Sequence, residues 1–213
     1  MPPTSTPTPT PVPRTLAATA LALTAAALAL TACGTASATK LPAAPEVAAT
    51  ASAPAPDPAP ALERSRPTGL RIDAAGVDAK RMLDLKVDPS TGELGVPDPD
   101  TEPNTPGWWT QGAAPGEKGV SVLVAHFDTK HGPALMKDLA KIGLGDLVEV
   151  PREDGRTARF KIREIEDVDK KDFPTDKVYA DTQRPELRLL TCGGDIVNGH
   201  RSHNVIFYAD LIA

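Results

Sequence analysis

Glu186-Leu187-Arg188-Leu189-Leu190-Thr191-Cys192-Gly193-Gly194 is an apolar alternating run that ends on a thiol and two glycines. Alternation at period two marks a half-buried strand, and glycines at its end let another backbone approach closely. The thiol therefore stands at a strand end. Working outward, the same strand signal recurs in Gly69-Leu70-Arg71-Ile72, Val77 to Val87, Val120-Ser121-Val122-Leu123-Val124 and Asp146-Leu147-Val148-Glu149-Val150. It returns in Arg159 to Ile165 and in Val205-Ile206-Phe207-Tyr208-Ala209. Pro89-Ser90-Thr91-Gly92, Glu153-Asp154-Gly155 and Gly193-Gly194-Asp195 supply turn chemistry between them. In GPALMKDLAKIGLGD (132–146), Leu135, Leu139 and Ile142 fall on one helical stripe. Pro133 suits a first turn there and Gly143 or Gly145 a stop, so a short helix is expected. Seven or more strands with one helix make the fold mainly β, a small barrel or a sandwich.

The chain has 213 residues and a net charge of −5, unevenly composed. Residues 1–68 hold 13 of the 23 prolines and none of the eight aromatic side chains, too little bulk to offset chain entropy. Residues 69–213 hold every aromatic, with 19 basic and 25 acidic side chains, and suffice for one core. No basic run of five or six occurs, which argues against nucleic acid and against a polybasic membrane contact. Two cysteines exclude a disulfide-dense scaffold, and no Cys-x-x-Cys is present. No repeat shows at solenoid or propeller periods.

Thr15 to Ala32 is uncharged and follows Arg14, so residues 1–38 read as an export segment. Three fates are open. Leu30-Thr31-Ala32-Cys33 resembles a bacterial lipoprotein signal and makes Cys33 a lipidation candidate; Ala36-Ser37-Ala38 fits ordinary cleavage and secretion; or the segment stays uncut as a membrane anchor. All three put the domain outside the cytoplasmic membrane. Residues 39–68 read as a Pro/Ala spacer, extended at about 3 Å per residue where polyproline-like.

With Cys33 in the export segment, Cys192 is left without a partner. A lone cysteine in an exported protein is an intermolecular disulfide, a reactive thiol or a small buried hydrophobe. A thiol nucleophile needs a proton carrier and a group to hold oxyanion charge. His126 ends the strand GVSVLVA (119–125), with Asp128 two residues on as a support for the loop or for His126, or as a turn former. His131 reads as a solvated loop residue, and His200-x-x-His203 with Cys192 matches no zinc spacing. Arg201 is the only arginine after Cys192. Glu164, Glu166, Asp167, Asp169 and Asp172 offer oxygen ligands of the kind Ca²⁺ takes, or form a solvated acidic loop; no metal or cofactor is expected.

From Leu70 onward the chain resembles the sortases, and among them the actinobacterial class E or F type. The carrying segments are LRIDAAGVDA (70–79), GWW (107–109), PGEKGVSVLVAHFDTKHGPALMKDLAKIGLGD (115–146), ELRLLTCGG (186–194) and GHRSHNVIFYADL (199–211). The resemblance implies one eight-stranded β-barrel over 69–213 with one or two short helices. It implies an extracytoplasmic cysteine transpeptidase that cleaves a sorting signal through a thioester. The acylated surface protein then passes to an amine of a peptidoglycan precursor or a protein. Cys192 would be the nucleophile, His126 the proton carrier and Arg201 the cation, with Leu190, Thr191, Asp128 and Asn204 in support. The family's Thr-Leu-x-Thr-Cys pattern reads Arg188-Leu189-Leu190-Thr191-Cys192 here, without its first threonine. In relatives with a GHYRDN-like end the arginine stands two residues before the asparagine; Arg201 stands three before Asn204. That shift flips the face in a regular strand unless a bulge restores it, and leaves Arg188, at Cys192 parity, as a competing cation lining the groove rim or facing solvent. The alternative from another class is a non-catalytic, lipid-anchored binding domain on the same barrel. L,D-transpeptidases are a weaker rival, since they place His-Gly before their cysteine, where this chain has Leu190-Thr191.

Mass spectrometry of the mature amino terminus separates the three fates. A working lipoprotein signal yields an acylated Cys33 start that Cys33→Ser abolishes, with release of the protein; a Thr39 start means secretion, and a Met1 or Pro2 start an uncut anchor.

Overall fold

A computed structural model describes residues 43–45, 51–55, 57 and 59–212. The export segment and Cys33 lie outside the described residues. Twelve strands occur among the described residues. They are β1 (Ala51–Ser52), β2 (Leu70–Ile72), β3 (Val77–Ala79), β4 (Leu83–Leu85), β5 (Gly107–Trp109), β6 (Gly119–Val124), β7 (Asp128–Thr129), β8 (Gly132–Pro133), β9 (Leu147–Pro151), β10 (Thr157–Asp169), β11 (Pro185–Val197) and β12 (His200–Leu211). Ten of them form one sheet in the order β3-β2-β9-β10-β12-β11-β6-β5-β4, with β1 added to β10; β7 and β8 make a separate ribbon. The pairs β6·β11 and β4·β5 are parallel. Val77 from one side of the sheet and Trp108 from the other belong to a single buried cluster. The sheet is therefore curled around its own core, a mainly β half-barrel. Twelve strands stand where seven runs were legible because Val77–Val87 divides in two, β1 and β5 join the sheet, and β7 and β8 make the ribbon.

Both faces of β11 are covered, which explains its near-continuous apolar run. Leu187 and Leu189 enter the main core beside Phe160 and Phe207, while Leu190 joins a second cluster with Val122, Ile206 and Tyr208. The connection between β10 and β11 lays Phe173, the one-turn helix α1 (Thr175–Val178) and Tyr179 over that second cluster. No helix among the described residues is long and apolar enough to cross a membrane.

The helix expected over 132–146 is absent. Gly132–Pro133 is instead the strand β8, and the Met136 N–H donates to the His126 carbonyl at 2.9 Å. The rest closes by three-residue turns, Leu139 N–H to Met136 O and Ile142 N–H to Leu139 O, both at 3.0 Å, with a 3₁₀ turn at Leu139–Lys141. Side chains three apart share a side in such turns as they do in a helix. Leu139 and Ile142 are thus buried by the same stripe that suggested a helix.

The segment read as a spacer is seated on the domain, first through β1 on β10, where the Ala53 N–H donates to Arg163 O at 2.7 Å, and again from residue 59 onward. Leu62 N–H donates to Gly116 O at 2.8 Å, and Arg64 reaches Glu117 Oε2 at 2.8 Å and Thr110 O at 2.9 Å. Arg152, wholly buried at its side chain, donates to Pro115 O at 2.8 Å, to Asp154 Oδ2 at 3.0 Å and to Glu63 O. Lacking bulk of its own, the segment borrows its order from polar groups that burial obliges to pair.

Arg152→Ala leaves buried carbonyls without a donor and should cost about 2–3 kcal/mol in urea unfolding. By the same reasoning a chain starting at Gly69 should unfold at lower denaturant than one starting at Ala59.

Candidate active site

Strands β6 and β11 run parallel, with Val124 opposite Leu190 as their last register pair, and the Ala125 N–H still donates to Leu190 O at 3.0 Å. Two residues further along each strand stand His126 and Cys192. Val124 and Leu190 share the second apolar cluster, so the next same-parity positions come side by side where the β6·β11 pairing ends. Strand β11 itself runs on to Val197, so the thiol stands inside a strand and not at the expected strand end, and the two glycines after it are part of the strand. Cys192 is half-buried and also touches the edge of the main core. Both residues line one cleft of about 620 Å³, together with Arg201, Ile196 and Pro99.

Opposite Arg201, β11 carries a bulge. Gly193 pairs with His203 and Ile196 with Arg201, so Gly194 and Asp195 together oppose the single residue Ser202. Gly194 has φ +69°, and a Cβ there would stand 2.6 Å from Ser202 Oγ and 2.7 Å from His203 Cγ. Only glycine fits. The extra residue stands on β11, so Arg201 keeps its one-residue offset from Asn204 along β12, and it lines the cleft all the same.

The guanidinium is held on two sides. Arg201 Nε and Nη2 both donate to Asp128 Oδ2, at 3.1 and 2.6 Å, and Nη1 donates to Gly194 O at 2.9 Å. The Phe127 ring lies beneath it, 5.1 Å from the centroid. Side-chain exposure is 5% for Arg201 and 8% for Asp128, so this is a buried ion pair rather than a surface contact. Asp128 serves the arginine; its carboxylate makes no hydrogen bond to His126. The imidazole Nε2 of His126 instead lies 2.7 Å from the backbone carbonyl of Pro97.

The remaining expected site residues fall at different places. Asn204 is directly across from Cys192 on β12. Leu190 is packed in the second cluster, and Thr191 is buried on the core side opposite Val205, its hydroxyl without a partner among the described residues. Arg188 is not in the wall of this cleft and is almost wholly out of solvent: it is buried over the Tyr208 ring, 4.8 Å from the centroid, and donates to Glu186 Oε2 at 2.7 Å. His131 is an exposed hairpin residue, and His203 bonds Asp167 Oδ1 at 2.8 Å. Pro97 carried no sequence signal, because a backbone carbonyl is offered by every residue type.

The acidic stretch is occupied by its own cations. Lys177 Nζ donates to Glu164 at 2.6 Å and to Glu166 at 2.9 Å, and the Tyr208 hydroxyl donates to Glu166 at 2.7 Å. Burial alone would raise the Glu166 carboxyl; the Tyr208 and Lys177 bonds outweigh it and hold the group below its usual range. Among the described residues no group of three or more metal-ligating side chains comes together.

The model of the sortase domain matches residues 71–212. The chain belongs to the sortase family. Its curled sheet is similar to that of a lid mutant of sortase A from Corynebacterium diphtheriae, at 19% identity and TM-score 0.52, covering 71% of this chain and 73% of that one. Sortase C from Streptococcus pneumoniae aligns at 21% identity and TM-score 0.53, covering 70% and 67%. Sortase C2 of the group B Streptococcus pilus island 1 aligns at 23% identity and TM-score 0.51, covering 71% and 77%. Identities this low speak for the fold. No curated protein matches the chain.

Removing one member of a buried ion pair strands the other charge, so Asp128→Ala in this sortase should cost about 3–5 kcal/mol of unfolding free energy. Combined with Arg201→Met, the double variant should lose less than the two single losses summed, by about 0.5–3 kcal/mol in a urea-unfolding cycle.

Proposed function

We propose that this sortase is an extracytoplasmic cysteine transpeptidase whose machinery is Cys192, His126 and Arg201. The observation that carries the reading is their convergence on one cleft from three separate segments. The Cys192 sulfur, as thiolate, attacks the carbonyl carbon of a peptide bond in a sorting signal. The S–C bond forms, the C–N bond breaks, and the departing amine takes a proton from the His126 imidazolium. An incoming amine then attacks the thioester, gives its proton to the imidazole and releases the thiolate. Arg201, fixed by Asp128, offers positive charge to the substrate backbone or to the oxyanion, where charge develops in both steps. The acyl donor is a surface protein bearing a sorting signal, and the acceptor an amine of a peptidoglycan precursor or of another protein. The amino-terminal segment holds the enzyme at the membrane by lipid or by anchor. The non-catalytic alternative drew its support from the offset of Arg201; against it stands the place of Arg201 in the wall of the same cleft as Cys192.

Incubation with a library of Leu-Pro-x-Thr-Gly-like peptides and intact-mass analysis tests this. Wild type should accumulate a thioester; Cys192→Ala should form none while unfolding within about 1 kcal/mol of wild type. His126→Ala should slow acylation about 10²–10⁴-fold. Arg201→Lys, which keeps the charge but not the planar three-way hold, should slow it about 10²–10³-fold. Transpeptidation by Cys192→Ala would overturn the reading, and a folded wild type inert to every peptide would favour a binding domain.

A further inference from the structure

The mechanism leaves open which ring nitrogen of His126 faces the cleft. The Pro97 carbonyl oxygen is an acceptor only, so a nitrogen 2.7 Å from it has to carry a proton. That nitrogen is Nε2. The hydrogen bond made by one imidazole nitrogen decides the protonation of the other. Among the described residues Nδ1 has no hydrogen bond, and it is the atom left to exchange a proton with the cleft.

Pro97 is itself placed with care. It is buried, and Pro99, two residues on, lines the cleft. Asp98 closes the turn by accepting from the Asp100 N–H at 2.8 Å and the Thr101 N–H at 3.1 Å. Asp100 then clamps the segment to the β7–β8 hairpin, accepting from Lys130 Nζ at Oδ2 and from His131 Nε2 at Oδ1, each at 2.9 Å. This is the hairpin that begins with Asp128. One short ribbon therefore anchors the partner of the arginine and the partner of the histidine.

We propose that Pro97–Asp100 is the positioning element of His126: the Pro97 carbonyl holds Nε2–H, Nδ1 carries the exchanged proton, and Asp100 keeps the carbonyl in place through Lys130 and His131. The proposal rests on His126 being the proton carrier. Exposed ion pairs of this kind contribute little to global stability, so Asp100 can be removed without unfolding the domain. Its loss should instead misplace the imidazole, and misplacement of a reacting group by about 1 Å costs on the order of 10²-fold in rate.

The test combines a spectroscopic and a kinetic readout on the whole protein. With ¹⁵N-labelled histidine, two-bond ¹H–¹⁵N correlation should show neutral His126 as the Nε2–H tautomer in the resting wild type. Asp100→Ala should convert it to a tautomer mixture and lower kcat for acylation about 10–100-fold with KM little changed; Asp100→Asn, which keeps an acceptor for one partner, should lie between. An Nδ1–H tautomer in wild type overturns the proposal, as does an unchanged tautomer in Asp100→Ala or an unchanged kcat beside a lost one. The tautomer is read without substrate. A wild type that holds Nε2–H and loses it in Asp100→Ala, yet forms no thioester with any peptide, supports the positioning and counts against the transpeptidase.

Discussion

In a parallel pair the two strands run to the same edge, so the residues after their last hydrogen bonds emerge side by side. The pairing of β6 with β11 does this with Val124 opposite Leu190. His126 and Cys192, each two residues further, are carried to one rim without any direct bond between them. Both strands are buried on two faces, and a slip of one residue would exchange the main core for the outer cluster along their whole length. The register that packs Leu187 and Leu189 inward and Leu190 outward is therefore the same constraint that places the thiol. Packing energy, spread over many contacts, sets the geometry of a site that makes few of its own.

The arginine reaches the cleft by a different route. β12 meets β11 in antiparallel register, and parity alone would turn Arg201 away from the face of Cys192. The guanidinium is nevertheless held in the cleft wall, by Asp128 on one side and by the Gly194 carbonyl of the β11 bulge on the other. Asp128 then makes burial of the guanidinium tolerable, since an unpaired charge at that depth would cost several kcal/mol. The second arginine, Arg188, spends its charge on the outer face among Glu186, Arg163 and Asp210. Burial raises the Asp210 carboxyl there, whereas the bonds from Arg188 and Thr182 overcome burial and lower Glu186. Arg188 is held within the fold, and Arg201, with Lys130 and Lys170, lines the cleft.

Much of this was legible in the residues. Period-two runs located seven strand regions. An apolar run ending in Cys192-Gly193-Gly194 suggests a strand end, but β11 runs on to Val197, because Gly194 belongs to a bulge inside the strand rather than to a turn after it. The stripe of Leu135, Leu139 and Ile142 was read as a helix because periodicity reports which side chains are buried, and three-residue turns bury the same ones. The spacer boundary was drawn at Gly69 because composition counts the apolar bulk a segment brings. Residues 59–68 are held by hydrogen bonds to groups of the domain, such as Arg152 and Gly116, which composition does not register.

The sequence by itself determined the mainly β architecture, the strand that carries Cys192, the strand end that carries His126, and the resemblance to the family. Those features are local, written in alternation, turn residues and motif order. Only the tertiary structure decided that Arg201 rather than Arg188 faces the cleft, that Asp128 holds the arginine, and that the Pro97 carbonyl meets the histidine. Each of these depends on a buried pair or a loop contact joining residues up to 73 positions apart in the chain. The free energy of such contacts comes from desolvation and register in the folded sheet, and no pattern along the chain encodes it.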